Sequence, residues 1–226
     1  MFFSHIFNNG DHPDTLAQAR ARMVEEQLRG RGVRDPQVLA AMGKVPREAF
    51  IASEDFRQAY GDHPLPIGAG QTVSQPYIVA AMVEALELGP GDRVLEVGTG
   101  TGYEAAILAE LAAEVWTIER HEELANKARE ILARPGYANV HVVHGDGSLG
   151  LAEHAPFDKI LVAAAAPRIP ESLVAQLKDG GRLVVPVGSR TEQQVHIVLK
   201  EGGEIVVTIH DLCRFVPLVG AEGWQP

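Results

Sequence analysis

The residues with the clearest chemical potential are glycines and carboxylates crowded into short runs. Val94–Ala106 reads VLEVGTGTGYEAA and places Glu96, Gly98, Thr99, Gly100 and Gly102 together. A glycine-rich turn between a strand and a helix lets a ligand reach the backbone and the helix N-terminus. The dinucleotide pattern G-x-G-x-x-G fails by one residue, because Tyr103 stands where the third glycine belongs. The lysine of a phosphate-binding P-loop is also missing. Between Val94 and Glu119 there is no Lys or Arg, but there are Glu96, Glu104, Glu110, Glu114 and Glu119. A carboxylate beside the turn repels a pyrophosphate and suits a cation. Glu119 falls about 20 residues past the glycines, where an acidic side chain can accept hydrogen bonds from both ribose hydroxyls. S-adenosyl-L-methionine fits this pattern, since it carries a sulfonium and an ammonium and no phosphate. Most of these glutamates are expected on solvated helix surface. Glu96 and Glu119 stand apart because each sits at the carboxyl end of a strand.

Two further runs could do chemistry. HGDGSLG, His144–Gly150, follows a strand; its Asp146-Gly147 suits an ordinary turn or the side of an adenine pocket. GAGQTVSQPY, Gly68–Tyr77, has the composition of a loop. Within it, Ser74 can cap the helix that follows, and a substrate carboxylate would be drawn to the same positive helix end. No histidine falls in an H-E-x-x-H or paired-cysteine pattern, so no metal site is expected.

These residues need a frame to hold them. Leu16–Leu28 has helical spacing, and Asp35-Pro36 reads as a cap and first-turn proline opening a second short helix. GDHPLPIGAGQ reads as a loop, and Ser74-Gln75-Pro76 as the cap of a helix running through Leu86. Strands and helices then alternate. Strands are expected at Arg93–Val97, Val115–Ile118, Val140–Val143, Lys159–Ala163 and Arg182–Val187. Helices are expected at Tyr103–Leu111, His121–Ala133 and Glu171–Leu177. Val195–Leu199 and Ile205–Ile209 flank Gly202-Gly203 as a hairpin. The pattern predicts an α/β fold with a doubly wound, mostly parallel sheet and an antiparallel C-terminal hairpin. Ligands in such sheets sit beyond the carboxyl ends of the strands. The whole chain, 1–226, reads as a single domain. Residues 1–75 form a helical and loop segment, and 76–226 the cofactor-binding core.

The net charge of −10 argues against a nucleic-acid groove and against an anionic membrane surface. Cys213 is the sole cysteine, so no internal disulfide can form, and it reads as a partly buried small hydrophobe. The start, MFFSHIFNNGDHPD, lacks the basic region, apolar core and cleavage site of a signal peptide. A cytoplasmic location is expected.

The runs together carry a resemblance. E-x-G-x-G-x-G after a strand, with an acid ending the next strand, resembles class I methyltransferases. GAGQTVSQPY, HGDGSLG, FDKILVAAAAP, LKDGGRLVVPVG and RFVPLVG are similar to the protein-L-isoaspartate O-methyltransferase family, over roughly Arg20 to Trp224. The resemblance implies a repair enzyme that moves a methyl group from S-adenosyl-L-methionine to the α-carboxylate of isoaspartyl residues in damaged proteins and peptides. It implies S-adenosyl-L-homocysteine as the second product, and a methyl ester that cyclises spontaneously to a succinimide. It makes Gly68–Tyr77 a wall of the active site, with Ser74 in the catalytic role. Substrate contacts are implied at Gln71, Thr72, Val73, Ala164, Val216, Pro217 and Leu218. Cofactor contacts are implied at Glu96, Gly98, Thr99, Gly100, Gly102, Glu119, Asp146 and Gly147. A monomer is implied as well.

The chain departs from the family at a few points. Glu96 stands where some relatives have Asp, and Ala163 where Thr is expected; Cys213 and the MFFSHIF start are not family features. Two other classes stay open at this point. A methyltransferase for another nucleophile has no reason to keep GAGQTVSQPY or RFVPLVG. A non-catalytic module on the same fold has no reason to keep Glu96 and Glu119.

Overall fold

The structure is a computed structural model describing residues 13–134 and 137–225. The MFFSHIF start lies outside the described residues. Helix α1 (Pro13–Arg22) runs into a wider π-type turn over Met23–Leu28, so the single helix expected at Leu16–Leu28 changes winding midway. That turn buries Met23, Val24 and Leu28. Helix α2 (Pro36–Lys44) starts at the expected cap, with Asp35 Oδ1 accepting from the N–H groups of Gln37 and Val38 at 2.7 and 3.3 Å.

The segment expected as a continuous loop contains a small hairpin. Strand β1 (Leu65–Gly68) pairs antiparallel with β2 (Gln71–Val73). Ala69 (φ 51°) and Gly70 (φ 70°) turn the chain between them in the left-handed region. Helix α3 (Pro76–Ala85) follows, and here the expected cap is corrected. Pro76 is the first helical residue and Gln75 occupies the cap position without a side-chain cap bond; Asp62 Oδ1 instead accepts from the first-turn N–H of Tyr77 at 3.2 Å. Ser74 lies one residue too early to cap.

The core then alternates: β3 (Arg93–Val97), α4 (Tyr103–Ala109), β4 (Glu114–Glu119), α5 (Glu122–Leu132), β5 (Val140–His144), β6 (Phe157–Val162), α6 (Glu171–Ala175), β7 (Leu177–Gly188), β8 (Gln193–Glu201) and β9 (Glu204–Cys213). Leu177, expected at the end of α6, instead begins β7, which is longer than expected. One sheet holds the order β5-β4-β3-β6-β7-β8-β9. Its first four pairings are parallel and the last two antiparallel. The central strands are buried on both faces, including Val94, Leu95 and Val97 of β3 and Ile160, Leu161 and Val162 of β6. This explains their near-continuous apolar sequence.

The topology places the site. From β3 the chain winds outward through β4 to β5, then returns to the other side of β3 as β6. The carboxyl ends of β3 and β6 therefore frame the crevice where such sheets bind ligands. No helix among the described residues is long and apolar enough to cross a membrane.

Candidate active site

The turn after β3 depends on glycine. Gly98, Gly100 and Gly102 have φ of 101°, 54° and 93°, a region that other residues rarely adopt. At Gly102 a Cβ would also run to within 2.7 Å of Leu132 Cδ1. Glu119, at the end of β4, closes the turn. Its Oε2 accepts from Gly100 N–H and its Oε1 from His121 N–H, each at 2.9 Å. The side chain is only 6% exposed. Each carboxylate oxygen keeps one further lone pair for a ligand.

Gly147 sits where its backbone packs on the sheet, since a Cβ there would come within 2.6 Å of Val97 Cγ1. Its neighbour Asp146 turns away from the crevice. Burial alone would raise its carboxyl, but bonds from the Ala221 N–H (2.8 Å), the Ser148 hydroxyl (2.7 Å) and the Ser148 N–H (3.0 Å) bring it below the usual carboxylate range. Asp146 thus ties the C-terminal segment to the end of β5.

A cleft of about 890 Å³, open mouth included, collects most of the expected residues. Gln71, Thr72, Val73 and Ser74 form one wall; Gly98, Thr99, Gly100, Glu119 and Gly147 form another; Ala164, Val216, Pro217 and Leu218 form a third. The third wall exists because RFVPLVG runs extended beside the alanine run. Ala165 N–H donates to Val216 O, and Leu218 N–H to Ala165 O, both at 2.8 Å. A second cleft adjoins the first and is lined by Arg31, Tyr77, Asp211, Cys213, Arg214 and Phe215, among others. Thr72, Ser74, Ala163 and Val216 line both clefts.

Glu96, Gly102 and Asp146 are not brought to the cleft wall. Glu96 is fully buried one residue before the end of β3, where Thr117 donates its hydroxyl to Oε2 and Oε1 has no partner. Burial pushes its carboxyl well above the ordinary range, with Glu104 and Glu119 adding to the effect and Thr117 opposing it. Thr117 also shares a 2.6 Å hydroxyl pair with Thr99, so Glu96 and Thr117 brace the glycine turn from behind.

The expectation of solvated glutamates fails at Glu104. It lies in the first turn of α4, is 8% exposed, and lines the cleft. Burial pushes its carboxyl up to about 8, against a downward pull from Arg47. Its helical phase was the available signal, since Ile107 and Leu108 follow at three and four residues and share the buried face. Arg47 was also missed. It is fully buried, donates to Ser74 O at 2.7 Å, and stacks over the Tyr103 ring at 4.8 Å. No motif in Val45–Phe50, VPREAF, marks it.

Glu104 makes a testable contribution to stability. Its folded carboxyl titrates near 8, above an unfolded value of about 4.3. The folded state therefore holds a proton that the unfolded state has lost, and stability falls as pH rises until about 8. The slope is about 1.4 kcal/mol per pH unit. The melting temperature of the ligand-free protein should drop by roughly 5 °C between pH 6 and 8 on this account. Glu96, also raised, adds a fall of the same sign, so in a thermal melt Glu104→Gln should lessen the wild-type drop by about that amount rather than abolish it; equal pH slopes in the two proteins would refute the assignment.

The arrangement can hold a ligand with a ribose at Glu119 and a cation near Glu104, and it opens onto a second groove. Buried acids and the close glycine backbone fit S-adenosyl-L-methionine and do not fit a phosphate. Among the described residues no cluster of His, Cys, Asp and Glu could hold a metal.

Comparison with known proteins gives concordant results. The family model for protein-L-isoaspartate(D-aspartate) O-methyltransferase matches residues 18–223. A protein-L-isoaspartate O-methyltransferase of Koribacter versatilis is 58% identical over 211 residues, covering 93% of this chain and 95% of the relative. One from Methanoculleus marisnigri is 53% identical, covering 94% and 96%. A solved protein-L-isoaspartate O-methyltransferase aligns with TM-score 0.81 at 32% identity, covering 90% of this chain and 67% of that one. A Plasmodium falciparum protein assigned to the same activity, in complex with S-adenosyl-L-homocysteine, aligns with TM-score 0.78 at 28% identity, covering 88% and 98%.

Proposed function

The chain belongs to the protein-L-isoaspartate(D-aspartate) O-methyltransferase family, and from that membership we propose that it methylates the α-carboxylate of isoaspartyl residues in proteins and peptides, using S-adenosyl-L-methionine. One observation carries the reading. The cleft suited to the donor and the groove suited to a peptide share Thr72, Ser74, Ala163 and Val216, so two ligands can meet there.

Bound S-adenosyl-L-methionine supplies a methyl group activated by its sulfonium. The chain's residues bind and align. Glu119 receives the ribose hydroxyls on its free lone pairs, with Gly98, Thr99, Gly100 and Gly147 against the rest of the nucleoside. Glu96 and Asp146 act from behind, one bracing the glycine turn and the other anchoring the C-terminal segment. Gln71, Thr72, Val73, Ala164, Val216, Pro217 and Leu218 hold the peptide. An α-carboxylate has a pKa of about 3.3–3.7, so the nucleophile is already ionised and no general base is needed. Rate then comes from alignment and from excluding water.

Ser74 is the residue placed to orient the carboxylate. Its carbonyl is pinned by Arg47, its hydroxyl makes no hydrogen bond among the described residues, and the residue lines both clefts. Ser74→Ala should cut kcat about tenfold or more, a loss of the order of one charge-assisted hydrogen bond. Donor affinity should stay within a few fold, and the melting temperature should hardly move, since no cap is lost. Normal kcat with a lower melting temperature would leave Ser74 a structural residue.

A monomer working in the cytoplasm is the finer reading of its setting. The lone cysteine is consistent with a reducing compartment. Light scattering tests the monomer, and β9 is where a second copy would be sought, because Ile205, Val206, Val207, Ile209 and Leu212 are exposed on that edge strand. The activity itself is tested by incubating the protein with methyl-labelled donor and an isoaspartyl peptide. A base-labile methyl ester on the peptide is expected, and its absence would overturn the proposal.

A further inference from the structure

Glu104 is a buried acid with no hydrogen-bond partner among the described residues, and it faces the donor cleft. Its exposure is 8%, and what remains opens into the cleft. The charged and titratable groups around it come from several elements. Arg47 reaches it from the turn before β1, Glu96 from β3, and Tyr103 is its chain neighbour. Glu119, Arg120 and His121 line the same cleft from the end of β4. Arg47 does not line the cleft; its guanidinium is held under Ser74. Both oxygens of Glu119 already accept backbone N–H groups, one from Gly100 in the glycine turn and one from His121. Glu104 is thus the acid in the cleft with its whole hydrogen-bonding capacity unused.

We propose that Glu104 is a further recognition residue for the positively charged end of the methyl donor, and that it releases a proton to solvent when the donor binds. The proposal rests on the S-adenosyl-L-methionine reading above. A buried acid lacking a partner is more stable neutral, and an opposite charge within about 4–6 Å reverses that preference. The value near 8 for the ligand-free protein agrees with the first half of this argument. Before binding, Glu104 carries a proton and the donor its charge. Afterwards the carboxylate faces the cation and the proton is in bulk water. No bond of the donor changes. The donor offers two cations, a sulfonium and an ammonium, and the demethylated product keeps only the ammonium.

Calorimetry of S-adenosyl-L-methionine binding to the full chain at pH 7, in two buffers of different ionisation enthalpy, counts the protons. Wild type should release roughly one proton per donor bound. Its Kd should tighten close to tenfold from pH 6 to pH 7, which lies below the α-amino range of about 7.7–8.0 where the donor's own charge begins to fall. Glu104→Gln, neutral and of the same shape, should bind with no proton release and a flat Kd over that interval. Glu104→Ala serves the same purpose if the glutamine variant fails to fold. Glu96→Gln should keep the release. Repeating the titration with S-adenosyl-L-homocysteine separates the two cations: release with both ligands marks the ammonium, and release with the donor alone marks the sulfonium. Donor binding by wild type without proton release would overturn the proposal, as would release that persists in the Glu104 variants. No donor binding by wild type would instead overturn the methyltransferase reading, and this inference with it.

Discussion

Glu119→Ala is expected to weaken S-adenosyl-L-methionine binding by a hundredfold or more. The carboxylate is positioned for two charge-assisted hydrogen bonds to ribose hydroxyls. Such bonds are worth about 1.5–3 kcal/mol each before water compensates, and 1.4 kcal/mol is tenfold in Kd. The structure adds a second route to the same loss. Glu119 accepts from Gly100 and His121 N–H at 2.9 Å, so alanine also frees the glycine turn from the end of β4. Glu119→Gln separates the two. It keeps an acceptor for one of those N–H groups but points an NH₂ donor at the other, so its affinity should fall between wild type and alanine. Calorimetry on folded variants is the measurement, with far-UV circular dichroism to show that the sheet is intact. An unchanged Kd in Glu119→Ala would remove the ribose assignment.

Glu119 was legible in the sequence because its position follows from the strand that carries it. The apolar run before it defines β4, and an acid at the carboxyl end of a strand in a parallel sheet must face the ligand edge. The central strands β3 and β6 were readable for a related reason: strands buried on both faces are nearly continuous in Val, Ile and Leu. What failed was local. The hairpin of β1 and β2 is short and interrupted by Pro66, Gly68 and Gly70, so breakers hid strands of four and three residues. The cap before α3 went one residue wrong because Ser74 looked suitable, although counting back from Pro76 at the first helical position gives Gln75. Arg47 is buried by tertiary contacts that no local pattern encodes, whereas Glu104 shares the buried helical face of Ile107 and Leu108, a signal that its charge outweighed. A buried acid or guanidinium is costly, so a sequence reading places it on the surface. Glu104 lines the cleft and Arg47 holds the Ser74 carbonyl of its wall from behind, and functional sites are where such violations are expected to gather.

Selection between isoaspartyl and aspartyl peptides should be large, and the reason is geometric. An isoaspartyl residue routes the main chain through its side-chain carbonyl and leaves its α-carboxylate on a short branch. A normal aspartate holds its carboxylate one methylene further from the main chain. The cleft that accepts the donor and the groove beside it meet at fixed residues. One side is set by Arg47 holding the Ser74 carbonyl at 2.7 Å. The other is set by Val216–Leu218, bonded to Ala165 at 2.8 Å on both sides of Pro217. A peptide backbone gripped between such walls cannot slide by a methylene without losing its contacts. It can therefore bring only one of the two carboxylates into line with the methyl carbon. Misplacement by about 1 Å costs roughly 100-fold in rate, so kcat/KM for paired peptides differing only in that linkage should differ by at least about 100-fold. Loosening one wall should erode the difference. Pro217→Gly adds backbone freedom to the third wall, and it should narrow the ratio by slowing the isoaspartyl peptide more than the aspartyl one. Comparable rates on both members of a pair would refute the alignment argument and return the chain to carboxyl methyl transfer without repair selectivity.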